Sequence, residues 1–134
     1  MSQTKIDSEV LDDELLARFI FSSSHVRADL SVKPEAFMPP ANLELSVVRH
    51  KDLNQYGLWQ IGRSIRPEAT LHGRADFQAM VARNQDLQIK LDPLPDNDAH
   101  CLVSGWPLRK PEQKIKALEI ARTAQYSPNP QFVL

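Results

Sequence analysis

The longest apolar run in this chain spans seven positions, Leu15 to Phe21, and Arg18 interrupts it. A bilayer-crossing helix needs about 20 consecutive apolar residues, so no membrane span is expected. A short, dense run of this kind reads as a buried strand. The remaining apolar residues come in shorter pieces still, so the core is expected to be assembled from short strands and amphipathic helices packed in layers. At 134 residues the chain suits one domain, within about 100–200 residues, and it can bury about two-thirds of its unfolded surface.

Alternation places Leu43, Leu45 and Val47 on one side of a second strand. Asp52 with Gln55 has the spacing of a capping box. The helix it would open carries Leu58, Ile61 and Ile65 on one stripe and stops before Pro67, with Gly57 and Gly62 weakening it. Ala69 to Ala75 reads as a strand, and Asp76 as the cap of a helix bearing Phe77, Met80 and Val81. Leu87, Ile89 and Leu91 alternate. Pro93 to Asp98 is turn chemistry, and Ala99 to Val103 is a further strand. Pro111 opens the last helix, with Ile115, Leu118, Ala121 and Ala124 on its apolar face. Lys33 to Pro40 forms a proline-stiffened connector, pinned to the core by Phe37 and Met38. The expected fold is therefore α+β: a small mixed sheet of four to five strands, covered mainly on one face by about three helices. A flexible acidic head, 1–12, precedes the single domain, 13–125, and a tail, 126–134, ends in an apolar segment able to dock on another chain.

Charge narrows the function classes. The chain holds 16 basic and 17 acidic residues, net −1, without the basic excess of a protein bound along a nucleic-acid backbone. The first 14 residues carry net −4 and residues 106–134 net +3, fields that salt screens beyond about 8 Å. The lone cysteine, Cys101, has no partner in the chain for a disulfide and favours a reducing compartment. The polar start does not resemble a secretory leader, and the expected location is the cytoplasm. Phosphate-cradling, zinc-binding and nucleophile-elbow motifs are absent. No cofactor or resident metal is expected.

Four histidines remain, and three have an arginine within two positions: His25 with Arg27, His50 with Arg49, and His72 with Arg74. In extended chain, residues i and i+2 share a face about 7 Å apart. His25 with Arg27 and His72 with Arg74 would then offer an imidazole and a guanidinium to one phosphate or carboxylate. Arg49 and His50, adjacent on a strand, would face opposite sides. His100 and Cys101 likewise diverge, with Cys101 expected inside as a small hydrophobe and His100 outside. Asp76 would cap a helix or orient His72 or Arg74. Trp106, held extended before Pro107, is the exposed aromatic on which a base would stack.

Leu45-Ser46-Val47-Val48-Arg49-His50, Trp59-Gln60-Ile61-Gly62, His72-Gly73-Arg74-Ala75-Asp76, Asp92-Pro93-Leu94-Pro95 with His100, and Gly105-Trp106-Pro107 together resemble small bacterial proteins described as hypothetical. The resemblance covers about residues 15–125. It implies a bacterial cytosolic origin and carries no activity with it.

Two functions follow as expectations. The first is a small bacterial cytoplasmic binding or accessory protein, whose ligand pocket is built from His25, Arg27, Arg49, His50, Arg74 and Trp106, and whose partner is a phosphate-bearing small molecule or another protein. The second is a hydrolase or transferase acting on a phosphorylated nucleotide or nucleic-acid end. There His72 or His100 serves as general acid or base, while Arg27 and Arg74 neutralise phosphoryl charge.

Overall fold

The computed structural model describes residues 9–130. Strands β1 (Leu15–Ile20), β2 (Leu45–Arg49), β3 (Gly73–Gln78), β4 (Gln88–Leu91), β5 (His100–Ser104) and β6 (Gln125–Pro128) form one sheet in the order β4-β5-β2-β1-β3-β6. Helices α1 (Gln55–Ile65), α2 (Ala79–Arg83) and α3 (Lys110–Thr123) connect them, with two 3-10 turns at Ser23–His25 and Pro34–Phe37. The α+β class is as expected, but every strand pair is antiparallel, so the sheet is not mixed. It also has six strands, one beyond the expected range. The additional strand is β6, whose Tyr126 pairs with Ala75 and whose Pro128 pairs with Gly73. Turn residues obscure it in the sequence, because Ser127, Pro128, Asn129 and Pro130 together read as a loop. An edge strand has no outer neighbour, so the missing N–H of Pro128 removes no ladder bond. Residues 126–128, expected in the tail, thus belong to the sheet; Phe132–Leu134 lie outside the described residues.

Strand periodicity of two divides the sheet into two apolar faces. On the first, Leu16, Ile20, Leu45, Val47, Phe77, Cys101 and Val103 pack beneath α2, α3 and Phe37. On the second, Ala17, Phe19 and Val48 pack beneath Leu58 and Trp59 of α1. Helices therefore cover both faces, two on the first and one on the second.

Three local expectations shift, each for a physical reason. The cap of α1 is Asn54, whose side-chain oxygen accepts from the Gly57 N–H at 2.7 Å. Asp52 instead sits at φ 63° in the preceding turn, a left-handed conformation that short polar side chains tolerate. Strand β3 starts at Gly73 and runs through Asp76 to Gln78, so Asp76 is a strand residue and not a helix cap. On α3 the buried residues are Gln113, Ala117, Ile120 and Ala121, while Ile115 and Leu118 are 63% and 41% exposed. Small alanines let that helix approach the sheet closely. Gln113 turns inward because its Nε2 donates to the Pro107 carbonyl at 2.8 Å, anchoring the preceding loop.

Of the acidic head, Val10 is buried and Asp12 pairs with Arg83 at 2.6 Å; residues 1–8 lie outside the described residues. No helix among the described residues is long and apolar enough to cross a membrane.

Candidate functional site

Strand β1 pairs with β3 along its whole length, from Leu15 with Gln78 to Ile20 with Gly73. With β2 it shares only two register pairs, Leu16 with Arg49 and Ala17 with Val48. Meanwhile Leu45 to Val48 stay in register with β5. The two central strands therefore part beyond Ala17. Arg18 spans the gap: its Nε donates to the Ala36 carbonyl and its Nη1 to the Ser46 carbonyl, each at 3.0 Å. A guanidinium thus replaces the missing ladder bonds.

A cleft of about 620 Å³ opens over this parting, within the range typical of small-molecule sites, roughly 300–1,000 Å³. Ala17, Phe19 and Val48 form its apolar floor, Phe21, Met38 and Pro40 add apolar walls, and Arg18, Arg66, His25 and His100 line it with nitrogen. Among the described residues, neither Arg18 nor Arg66 has a carboxylate partner. Arg18 spends two donors on main-chain carbonyls, and its Nη2 makes no hydrogen bond among the described residues. Arg66 lies over the Phe21 ring, 5.5 Å from its centroid, a cation–π contact.

Glu44 and Asp96 add carboxylates to the lining, with Glu44 facing Lys90 at 3.6 Å. Burial, and secondarily the Arg66 cation, lowers the Arg18 pKa to about 10, so it stays charged at neutral pH. Burial first and Arg18 second hold His25 below the usual imidazole range, with Glu35 acting in the opposite direction. An anion in the cleft would offset the repulsion among these groups. His100 is oriented from behind: its Nδ1 lies 2.9 Å from the Asp92 carbonyl oxygen and 3.0 Å from Asp92 Oδ2. A proton on Nδ1 satisfies these acceptors and fixes the orientation of the ring.

The structure brings only part of the sequence-derived constellation to this cleft. His25 and His100 line it; His72, Arg74, Arg27, Arg49, His50 and Trp106 do not. His25 ends a 3-10 turn and is not extended, so Arg27 leaves its side and donates to Ser31 Oγ and the Val32 carbonyl, both at 3.3 Å. Arg49 forms a two-pronged ion pair with Glu14, at 2.9 and 2.8 Å. His50, on the other face as expected of its neighbour, bonds Asp76 Oδ1 through Nε2 at 2.9 Å. Trp106 is not an exposed stacking platform. Gly105, at φ +89°, turns the chain back, and the indole is buried with its Nε1 donating to the Val103 carbonyl at 2.9 Å.

Arg74 is also turned inward. Its Nε donates to both Asp76 oxygens at 3.1 and 3.0 Å, its Nη2 to Gln55 Oε1 at 2.6 Å, and its guanidinium stands 4.7 Å from the Trp59 ring centroid. With His50 this makes a buried polar knot that locks α1 onto β2 and β3. Asp76 does orient Arg74, the alternative to capping. His72 contributes main-chain groups to β6, its carbonyl accepting from the Asn129 N–H and the Tyr126 hydroxyl, both at 2.9 Å.

Arg18 and Arg66 are the residues that sequence reasoning passed over. Arg18 had a signal, a charge in the middle of the one run that reads as a buried strand. Arg66 had none, since the residue after a helix is commonly basic. Cys101 is fully buried, as expected, and burial raises its pKa to about 11, which keeps it a thiol at neutral pH. Among the described residues no three His, Cys, Asp or Glu side chains group as a metal site. Comparison with protein-family models, curated proteins and solved structures finds no match to this chain.

Proposed function

We propose that this is a bacterial cytoplasmic binding protein for a small anionic molecule, a phosphate monoester by preference, held in the cleft between β1 and β2. The observation that carries this reading is the convergence of Arg18, Arg66 and His25 on an apolar-floored hollow with no carboxylate paired to either arginine. Phosphate matches the planar fork of arginine and takes a further donor from a protonated imidazole. The test is thermal melting of the whole chain against ribose 5-phosphate and inorganic phosphate. A saturable rise in Tm is expected, near 2.7 kcal/mol of stabilisation at one hundred times Kd. In Arg66→Ala binding should weaken about tenfold, or roughly 1.4 kcal/mol, without loss of folding, since Arg66 is exposed and lies over the Phe21 ring. The reading fails if no phosphate compound shifts the wild-type melt, or if Arg66→Ala responds identically.

The lowered pKa of His25 gives a second outcome, with a definite sign. Between its folded value and the ordinary 6.5 the unfolded chain binds more protons, so stability rises with pH in that window. The contribution is present above pH 6.5 and is lost as pH falls through the folded value. Phosphate binding should run the opposite way, tightening as His25 gains its proton, until the phosphate itself protonates near pH 6. Both slopes should flatten in His25→Gln, as urea melts and titrations across pH 5.5–8 would show.

One observation favours a second reading. His100 lies in the cleft with Asp92 fixing its ring, which is the arrangement of an oriented general base. In that reading the protein is a hydrolase or transferase on the same phosphorylated ligand, and His100→Ala retains binding while losing turnover.

A further inference from the structure

The cleft is not uniformly basic, and its two walls differ in chemistry. Strands β1 and β5 lie on opposite sides of β2. The β1 wall carries Arg18, Phe21 and, from the end of α1, Arg66; the β5 wall carries His100 together with Leu94, Asp96 and Asn97 of the β4–β5 turn. Two strand spacings separate those walls, about 10 Å. The floor between them, Ala17 with Val48, is apolar but closed over, packed beneath Leu58 and Trp59. A bare phosphate would occupy one end of this hollow and leave the far wall unfilled.

We infer that the ligand is a nucleoside monophosphate whose base carries an exocyclic amine. The inference rests on the anion-binding reading above and extends it to the other end of the molecule. The phosphate sits against Arg66, Arg18 Nη2 and His25. The cation–π contact with Phe21 holds Arg66 in place before the ligand arrives. The sugar crosses the parting beside the Ser46 and Ser64 side chains, both of which line the cleft. The flat base packs against Leu94, which is 39% exposed at the far wall. Its amino edge reaches Asp96, an exposed carboxylate with no ion-pair partner among the described residues. An adenine or cytosine presents a donor there, whereas uracil and hypoxanthine present a carbonyl oxygen that the carboxylate repels. A hydrogen-bonded edge discriminates far more sharply than apolar contact does.

Isothermal titration of the full chain with AMP, CMP, UMP, IMP, ribose 5-phosphate and adenosine tests this. AMP or CMP should bind at least tenfold tighter than ribose 5-phosphate, and at least fivefold tighter than IMP or UMP respectively. Asp96→Ala should remove the second preference and lessen the first; Arg66→Ala should weaken all phosphate esters and leave adenosine unchanged. If ribose 5-phosphate matches AMP while Arg66→Ala still weakens both, the nucleotide inference falls and the anion site stands. If IMP and UMP match their amino counterparts in the wild type, the inference also falls. If adenosine matches AMP and Arg66→Ala changes nothing, both fall together.

Discussion

Replacing Asp76 by alanine is expected to destabilise the protein by about 3–5 kcal/mol, the cost of leaving a buried charge without its partner. Arg74 and Asp76 have side chains only 6% and 12% exposed. Removing the carboxylate strips Arg74 of two hydrogen bonds and His50 of its Nε2 partner. Little nearby can compensate, because Arg74 Nη1 is already buried without a hydrogen bond. Such a loss would take a large share of the 5–15 kcal/mol that holds a typical domain and lower Tm by roughly 10–20 °C. The companion substitution sets this apart from simple cavity formation. Arg74→Met in the Asp76→Ala background removes the stranded charge, fills much of the same space beside Trp59, and should recover a good part of the loss. Urea melts of the two single variants and the pair close the cycle. A loss below about 1 kcal/mol for Asp76→Ala would mean that water reaches the knot and the ion pair is worth no more than a surface one.

That knot also shows why the sequence revealed some residues and hid others. Strands β2 and β4 were legible because one face of each follows an alternation set by neighbours two residues away, β1 because its apolar run is short and dense, and β5 because turn residues bound it. The helical character of α1 and α3 was legible from apolar stripes three to four residues apart. Which face α3 buries was not, since that depends on what lies opposite. Alanines against the sheet and a glutamine tied to Pro107 outweigh the larger Ile115 and Leu118. Gly62 reads as a helix weakener in isolation, yet a Cβ there would run into the Phe19 ring, so close packing requires the glycine. The His–Arg pairs misled in a related way. Residues i and i+2 share a face only in extended chain, and His25 lies in a 3-10 turn. Where the spacing did hold, at His72 and Arg74, the intramolecular acid Asp76 claimed the guanidinium that seemed available to a ligand. The two arginines of the cleft, like Arg27 and Arg63 outside it, have no carboxylate partner among the described residues, and their meeting at one hollow is a property of the assembled sheet.

The proline-stiffened connector links stability to the site. Phe37 is fully buried and packs edge-on against Phe77, with ring centroids 5.4 Å apart and planes at 85°. Phe37→Ala is expected to cost about 3–5 kcal/mol, through lost burial and the cavity left behind. Its neighbours make the variant informative beyond that figure. The Ala36 carbonyl is one of the two anchors of Arg18, and Met38 and Pro40 form a wall of the cleft. Loosening Phe37 should therefore free the Arg18 guanidinium from one anchor and weaken phosphate binding several-fold, even at a temperature where the variant remains folded. Phe37→Leu, which keeps most of the volume, should lose less stability and retain binding close to wild type. Val103→Ala serves as the comparison, because it opens the same core from β5 and leaves the connector's own side chains intact. If that substitution weakens phosphate binding as much as Phe37→Ala at matched fraction folded, the connector does not position Arg18. If only Phe37→Ala does so, the 3-10 turn at Pro34–Phe37 is the element that holds the anion site in shape.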